Sequence, residues 1–378
     1  MEMNLTKYLS SAGPRHRADP DTAWRLLTDP DVDMAQLREA AHRVNLALNG
    51  DRVTYVVNRN LNFTNVCVMG CAFCGFARAK GSGEDRTLSP QEAVAALAQT
   101  PDVSEFCIQG GINPELEYDY YRRLLHAVHA AFPAVHIHAF SPQEIHHMTE
   151  LTGRPAGEVL RDLMECGLGS IAGTAAEILD DGLRREICPR KIATARWEEI
   201  IRAAHALGMR FPATIMFGHI ETPRQQVAHL EMLRRIQADT GGFTELIPLP
   251  FVPYQTRLGR EHQIAEMLPM AYLRRFYAVC RLFFGDLLPN LQISWVKLGI
   301  DNAVELLDWG VSDFGGTLFE ENITRTAGGR HGVRLSVQEI RRAIERAGRR
   351  PVRRDTQYHL YETAAPENVC SSHFSGRL

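Results

Sequence analysis

Apolar residues recur at three- and four-residue intervals through Ala23-Trp-Arg-Leu-Leu27 and across 34–46, which predicts helices in a polar N-terminal stretch closed by the Asn49-Gly50-Asp51 turn. From there the pattern changes. Apolar runs at 53–57 and 61–64 read as extended, and further strand-like runs follow at 106–111, 135–140, 170–171, 211–217, 243–249, 291–296 and 311–314. Helical patterns occupy 90–99, 116–132, 157–166, 195–207, 224–238, 268–287, 302–308 and 337–347. Strand alternating with helix implies parallel pairing through crossovers, and eight such units predict a (β/α)8 TIM-type barrel of the α/β class. The expected organisation is an N-terminal helical extension over 1–51, a barrel over 52–364 and a flexible tail over 365–378.

Composition narrows the setting rather than the chemistry. Hydrophobic residues make up 45% and charged residues 23% of the 378, near the average for a globular protein. A formal charge of -3 offers no basic excess for nucleic acid, and the arginines from Arg341 to Arg354 read as a solvated helix face followed by a basic turn. No run of 18 apolar residues occurs and the N-terminus has no apolar signal core, so no membrane association and a cytoplasmic location are expected. Of eight cysteines, Cys107, Cys166, Cys188, Cys280 and Cys370 are scattered, which speaks against a disulfide framework.

The other three are clustered. Cys67-Val-Met-Gly-Cys71-Ala-Phe73-Cys74 places three thiols within eight residues on the loop leaving the first strand, at the end of the barrel where chemistry is expected. A 4Fe-4S cluster takes four thiolates, so three leave one iron open to a chelating small molecule. The alternatives are a zinc knuckle or buried structural cysteines; structural zinc wants a fourth ligand, and none follows Cys74 at short spacing.

Other candidates fall on the same rim. Gln109-Gly110-Gly111 closes strand two, where glycine lets backbone approach a ligand closely. Ser141 follows strand three, and His219 and Glu221 follow strand five. Glu245 on strand six and Asp313 on strand eight are acids in apolar runs and need partners. With His219 and Glu221, Glu245 is a candidate for catalytic acid–base work. His136 and His138 share one face of strand three, facing substrate or satisfied in the core. Glu177 is either a capping carboxylate or a ligand to a cofactor or a substrate amine. Asn322, Thr324 and Arg325 are either a polar substrate site or surface loop. Gly167-Leu-Gly169-Ser-Ile-Ala172 fits a dinucleotide fingerprint in letters only, because a helix precedes it and a strand follows; Gly167 reads as a helix C-cap.

Taken together, these segments resemble a known family. The resemblance is carried by Asn58-Arg-Asn-Leu-Asn-Phe-Thr-Asn-Val-Cys67, Gln109-Gly-Gly-Ile112, His136-Ile-His-Ala-Phe-Ser-Pro142, Gly173-Thr-Ala-Ala-Glu-Ile-Leu-Asp-Asp181, Ala213-Thr-Ile-Met-Phe-Gly-His219, Ser294-Trp-Val-Lys-Leu-Gly299 and Arg354-Asp-Thr356. It points to the radical S-adenosylmethionine superfamily and, within it, to the 5-amino-6-(D-ribitylamino)uracil:L-tyrosine 4-hydroxyphenyl transferases, the tyrosine-using half of FO synthase in deazaflavin biosynthesis. The resemblance implies a 4Fe-4S cluster on Cys67, Cys71 and Cys74, and S-adenosylmethionine contacted by Phe73, Gly110, Gly111, Ser141 and Glu177. It further implies L-tyrosine and the ribitylaminouracil as substrates, an external one-electron donor and a separate ring-closing protein. The related alternatives are a menaquinone-pathway enzyme, aminofutalosine synthase or futalosine cyclase, and a tyrosine lyase with another acceptor. Phe251-Val-Pro-Tyr-Gln-Thr-Arg257 departs from the family's usual Phe-Val-His-Met-x-Ala-Pro segment, which bears on the second substrate.

Overall fold

The computed structural model describes residues 4–100 and 102–361. Its strands are β1 (Arg52–Val56), β2 (Asn58–Asn62), β3 (Glu105–Gln109), β4 (His136–Ala139), β5 (Phe211–Phe217), β6 (Phe243–Pro250), β7 (Asp313–Gly316), β8 (Arg350–Arg354) and β9 (Leu360–Tyr361). β2, β3 and β4 pair in parallel, as do β5 with β6 and β7 with β1. Single bridges extend the circuit, His138 to Ser170 after β4, then Leu246 to Leu291 and Gln292 to Asp313 between β6 and β7. All seven residues of β5 are buried, as a strand covered on both faces requires.

The circuit is a TIM-type barrel with two departures from the expected eight strands. The fourth is reduced to the bridge at Ser170, and it meets β5 through Thr214 Oγ1 donating to Gly173 O at 2.8 Å and Met216 N donating to Glu177 O at 2.8 Å. Glycine is required there, since a Cβ on Gly173 would lie 1.6 Å from Pro212 O. The seventh is also reduced to bridges, and Trp295–Leu298 turns helical instead of extending. Apolar 291–296 fills the core either way, so periodicity alone does not separate the two.

Four of the helices share a start signal. Ser89, Ser141, Thr222 and Ser336 each close a capping box with Glu92, Glu144, Gln225 and Glu339, and the first three are followed by proline at the first helical position. The second of these, Pro142–Thr152, is a helix that apolar periodicity alone did not predict. Tyr118–Ala131 shows the packing rule, burying Tyr120, Tyr121, Leu124, Leu125 and Val128 at helical spacing; each large apolar side chain so buried contributes about 1.5–3 kcal/mol.

At the N-terminus, helices Leu5–Ser11, Pro20–Thr28 and Met34–Asn49 join the same hydrophobic core. Asn45 Nδ2 donates to Val311 O at 3.0 Å and Asn49 Nδ2 to Pro289 O at 3.1 Å, both under the barrel strands. The arginine-rich segment expected to be a basic turn instead forms β8, in five-residue parallel register with β1. The tail expected over 365–378 lies outside the described residues. Among the described residues, no helix is long and apolar enough to cross a membrane.

Candidate active site

β2 ends at Asn62 and the chain folds back on itself before the helix at Pro90, bridging Thr64 to Thr87 and Val66 to Arg78. Asn65 holds the return strand, accepting from Arg86 N at 2.7 Å and donating to Glu84 O at 2.9 Å. Arg78 ties the far side of the cysteine run by donating from Nη1 to Gly75 O at 2.9 Å and Ala77 O at 3.0 Å. Within the run, Cys74 N donates to Cys71 O at 3.2 Å, while Ala72 is gripped from both sides by Ile187 O and Leu258 N at 2.8 Å each. The loop is thus bonded to itself and to two separate parts of the rim.

The end of β3 is zipped to this loop. Gly111 N donates to Thr64 O at 2.9 Å and Val68 N to Ile112 O at 3.1 Å. A Cβ on Gly111 would stand 2.2 Å from Val66 O, and one on Gly110 would stand 2.4 Å from the Phe63 ring. The two glycines are therefore demanded by protein packing, whatever else approaches them.

Two joined cavities, each about 260 Å³, open from this rim into the barrel. Cys67, Cys71 and Cys74 share the outer lobe with Phe73, Gly110, Gly111, Ser141 and Glu177, so the expected thiols and the expected cofactor contacts converge. Much of the remaining wall is apolar, from Met69, Phe76, Ile112, Met216, Leu249 and Phe251. Among the described residues no three His, Cys, Asp or Glu side chains form a group suited to a single metal ion. The fit to an iron–sulfur cluster lies in the donor set, three free, half-buried thiols on one wall. Burial pushes the Cys71 thiol up to about 12, with Lys191 opposing. Cys370 lies outside the described residues.

Charges in the outer lobe are paired. Glu177 is not a helix cap; it sits at φ +45° and contacts the Lys191 ammonium, which also lies 5.4 Å from the centre of the Phe73 ring. Burial would raise the Glu177 pKa, but Lys191 holds it below the usual range. Ser141 caps the helix Pro142–Thr152, and its partner Glu144 accepts from Gly110 N at 3.0 Å and Ser141 N at 2.7 Å. Burial lifts the Glu144 carboxyl to about 7 against these bonds. Glu144 was not among the expected site residues, although Ser141-Pro-Gln-Glu144 reads as a capping box in the sequence.

The inner lobe is polar. Glu105 is buried and receives Asn58 Nδ2 at 2.9 Å and Thr356 Oγ1 at 2.7 Å. Burial would raise its pKa, but His138 and these bonds hold it below the usual range. His138 and His136 both contact Ser170 Oγ at 2.7 Å, and burial drives His138 down to about 4, a neutral ring. Of the pair, His138 lines the lobe. Asp313 is satisfied by Arg354 Nε at 2.5 Å, Thr54 Oγ1 at 2.6 Å and Tyr358 OH at 3.1 Å. Glu245 is different: its Oε2 is buried without a hydrogen-bond partner and its Oε1 stands 3.8 Å from Arg354 Nη2. Burial lifts its carboxyl to about 7. Asn60 Oδ1 is likewise buried and unpartnered.

The other two expected catalytic residues stand apart. His219 and Glu221 line neither lobe: both side chains are closed off from solvent, with His219 Nδ1 3.1 Å from Glu221 Oε2 but not aligned to bond. Glu221 instead accepts from Gly218 N at 2.6 Å and His219 N at 2.9 Å and bonds Gln226 at 2.7 Å, which fixes the turn after β5. Thr324 lines both lobes, whereas Arg325 is exposed and lines neither. The sequence reading passed over Lys297, which also lines both lobes. The strand expected at 291–296 stopped short of it.

Two family models cover most of the chain, the radical SAM superfamily over residues 61–233 and the CofH/MqnC C-terminal region over 240–367. A protein of Methanopyrus kandleri named 5-amino-6-(D-ribitylamino)uracil--L-tyrosine 4-hydroxyphenyl transferase is 43% identical over 333 residues, 86% of this chain and 89% of that protein. One of the same name from Synechococcus elongatus is 42% identical over 374 residues, 93% of this chain and 94% of that protein. Among solved structures, the FeFe-hydrogenase maturase HydG from Carboxydothermus hydrogenoformans superposes with a TM-score of 0.70 at 16% identity, covering 94% of this chain and 80% of that one. Methylornithine synthase (PylB) superposes with a TM-score of 0.68 at 16% identity, covering 92% and 97%. These two bear on the fold alone.

Proposed function

Since the chain belongs to the radical SAM superfamily, in the branch that carries the CofH/MqnC C-terminal region, we propose that Cys67, Cys71 and Cys74 hold a 4Fe-4S cluster facing the outer lobe. Membership implies both that cluster and S-adenosylmethionine. The enzyme is a transferase of FO synthesis that moves the 4-hydroxybenzyl fragment of L-tyrosine to 5-amino-6-(D-ribitylamino)uracil, a reading supported by relatives named as 4-hydroxyphenyl transferases for these two compounds. The products are 5-amino-5-(4-hydroxybenzyl)-6-(D-ribitylimino)-5,6-dihydrouracil, 2-iminoacetate, 5′-deoxyadenosine and methionine. Relatives of this name along most of the chain weigh against the menaquinone-pathway alternative.

The observation that carries the reading is the joined pair of lobes with thiols on one wall. Held by Cys67, Cys71 and Cys74 and reduced by an external donor, the cluster would supply the one-electron chemistry that splits S-adenosylmethionine into methionine and a 5′-deoxyadenosyl radical. The chain's own residues then do three things. Phe73, Phe76, Met216 and Phe251 keep water from the outer lobe, where a carbon radical needs a dry wall. Glu177 and Lys191 offer a fixed pair of opposite charges there for polar groups of the cofactor. Glu245 and Asn60, beside the neutral His138, present unmet hydrogen-bonding capacity to the inner lobe, which suits the hydroxyls and ring amides of the acceptor better than a phenol. Ring closure is left to a separate protein, and a cytoplasmic setting is part of the same proposal.

Anaerobic reconstitution of wild type and Cys71→Ala tests the ligand set. Wild type is expected to take up about four irons per chain, with deoxyadenosine formed in a tyrosine-dependent manner. Cys71→Ala is expected to lose both; a fully active Cys71→Ala would overturn the assignment.

A further inference from the structure

Lys297 occupies the neck between the lobes, lining both. Its place is set by the short helix Trp295–Leu298, pinned to the barrel by Trp295 Nε1 donating to Gly316 O at 2.9 Å and closed by Gly299 N donating to Trp295 O at 2.7 Å. The other lysine or arginine side chains lining the lobes are committed, Lys191 to Glu177, and Arg354 to Asp313 and Gln292. Among the described residues, Lys297 makes no side-chain hydrogen bond and has no carboxylate within 4.0 Å. Glu321 and Glu177 act on it only at longer range, against the burial that disfavours its charge. A half-buried ammonium lacking a counter-ion is costly. The neck can therefore accept an anion that the described residues do not provide.

We infer that Lys297 receives the α-carboxylate of L-tyrosine, a reading that rests on the function proposed above. The choice follows from what the two substrates carry. The ribitylaminouracil offers hydroxyls, amines and ring amides, whereas tyrosine brings a carboxylate. The other available carboxylate, on S-adenosylmethionine, belongs beside the thiols on the wall of the outer lobe. Held by its carboxylate at the neck, tyrosine keeps its Cα–Cβ bond at the passage between the lobe with the thiols and the lobe with the polar groups. The benzyl fragment then has only that passage to cross.

The test compares L-tyrosine with tyramine, which lacks only the carboxylate. Equilibrium binding is measured on anaerobically reconstituted protein with S-adenosylmethionine present, for wild type, Lys297→Met and Lys297→Arg, with thermal melts confirming that each variant folds. Wild type is expected to prefer tyrosine by roughly 10- to 100-fold, the range for one charge-assisted hydrogen bond. Lys297→Met is expected to lose that preference while binding tyramine as wild type does, and Lys297→Arg to keep part of it. If Lys297→Met folds and still prefers tyrosine, or weakens S-adenosylmethionine instead, the assignment is wrong. Should Lys297→Met fail to fold, Lys297→Arg decides: an unchanged tyrosine affinity together with weakened S-adenosylmethionine overturns it. A wild type that forms no deoxyadenosine in response to tyrosine would instead overturn the functional reading itself.

Discussion

Gly111→Ala probes how the barrel positions its cysteine loop. The new methyl would lie 2.2 Å from Val66 O and 2.8 Å from Cys67 Cβ. Ordinary contact begins near 3.4 Å, so one side must yield by about 1 Å. Gly111 lies outside the left-handed region, so backbone conformation adds no penalty of its own. The strand side is anchored by Gly111 N to Thr64 O and by the β2–β3 ladder, which directs the displacement into Val66 and, one residue on, Cys67. Overpacking of this kind costs about 1–3 kcal/mol, within what a chain of this size tolerates. If Cys67 holds the cluster as proposed, moving it by about 1 Å is a larger matter for chemistry, on the order of 100-fold in rate. The assay is iron and sulfide content after anaerobic reconstitution, with the deoxyadenosine rate and a thermal melt on the same samples. The expected variant folds, melts a few degrees lower, and loses cluster content and activity together. Gly157→Ala is the control: nothing lies within 4 Å of its Cβ position in a helix, so it should gain up to about 1 kcal/mol and keep full activity. Wild-type iron content and rate in Gly111→Ala would refute the claim that this contact sets the loop.

Two further expectations concern the charges under the inner lobe. Arg354→Met leaves Asp313 fully buried without its cation and should destabilise by about 3–5 kcal/mol, with partial recovery on adding Asp313→Asn; denaturant unfolding of both would show it, and an unchanged midpoint in the single variant would contradict it. Glu245, lifted from 4.5 to about 7, binds its proton more tightly in the native protein than in the unfolded chain. The stability it contributes is therefore full below pH 4.5 and lost as pH rises through 7. Glu245→Gln cannot ionise, so between pH 5 and 8 the variant should gain on wild type by up to about 3 kcal/mol; parallel pH profiles would count against it.

How far the sequence shows all this varies by element. The barrel is legible because β5 and β6 are long apolar runs bounded by helices with amphipathic faces, and the capping boxes at Ser89, Ser141, Thr222 and Ser336 mark where each helix begins. The thiol wall is legible because its three cysteines lie within eight residues. β8 is hidden because Arg350-Pro-Val-Arg-Arg354 reads as surface, and only the long-range pairing of Arg354 with Asp313 makes it core. His219 and Glu221 sit at the right rim by position, but the turn after β5 faces them into each other rather than into the lobes. Lys297 is hidden for a related reason. Its lack of a partner among the described residues emerges only when the fold assembles its surroundings.

The most direct measurement follows the carbon. Incubation of the reconstituted enzyme with reductant, S-adenosylmethionine, the ribitylaminouracil and L-tyrosine labelled with 13C at Cβ should place the label in a uracil adduct bearing a hydroxybenzyl group. 2-Iminoacetate and 5′-deoxyadenosine should form in equal amount. Deoxyadenosine formed with the label released as p-cresol, or no label transferred to the uracil at all, would contradict transfer between the two lobes as the reaction of this protein.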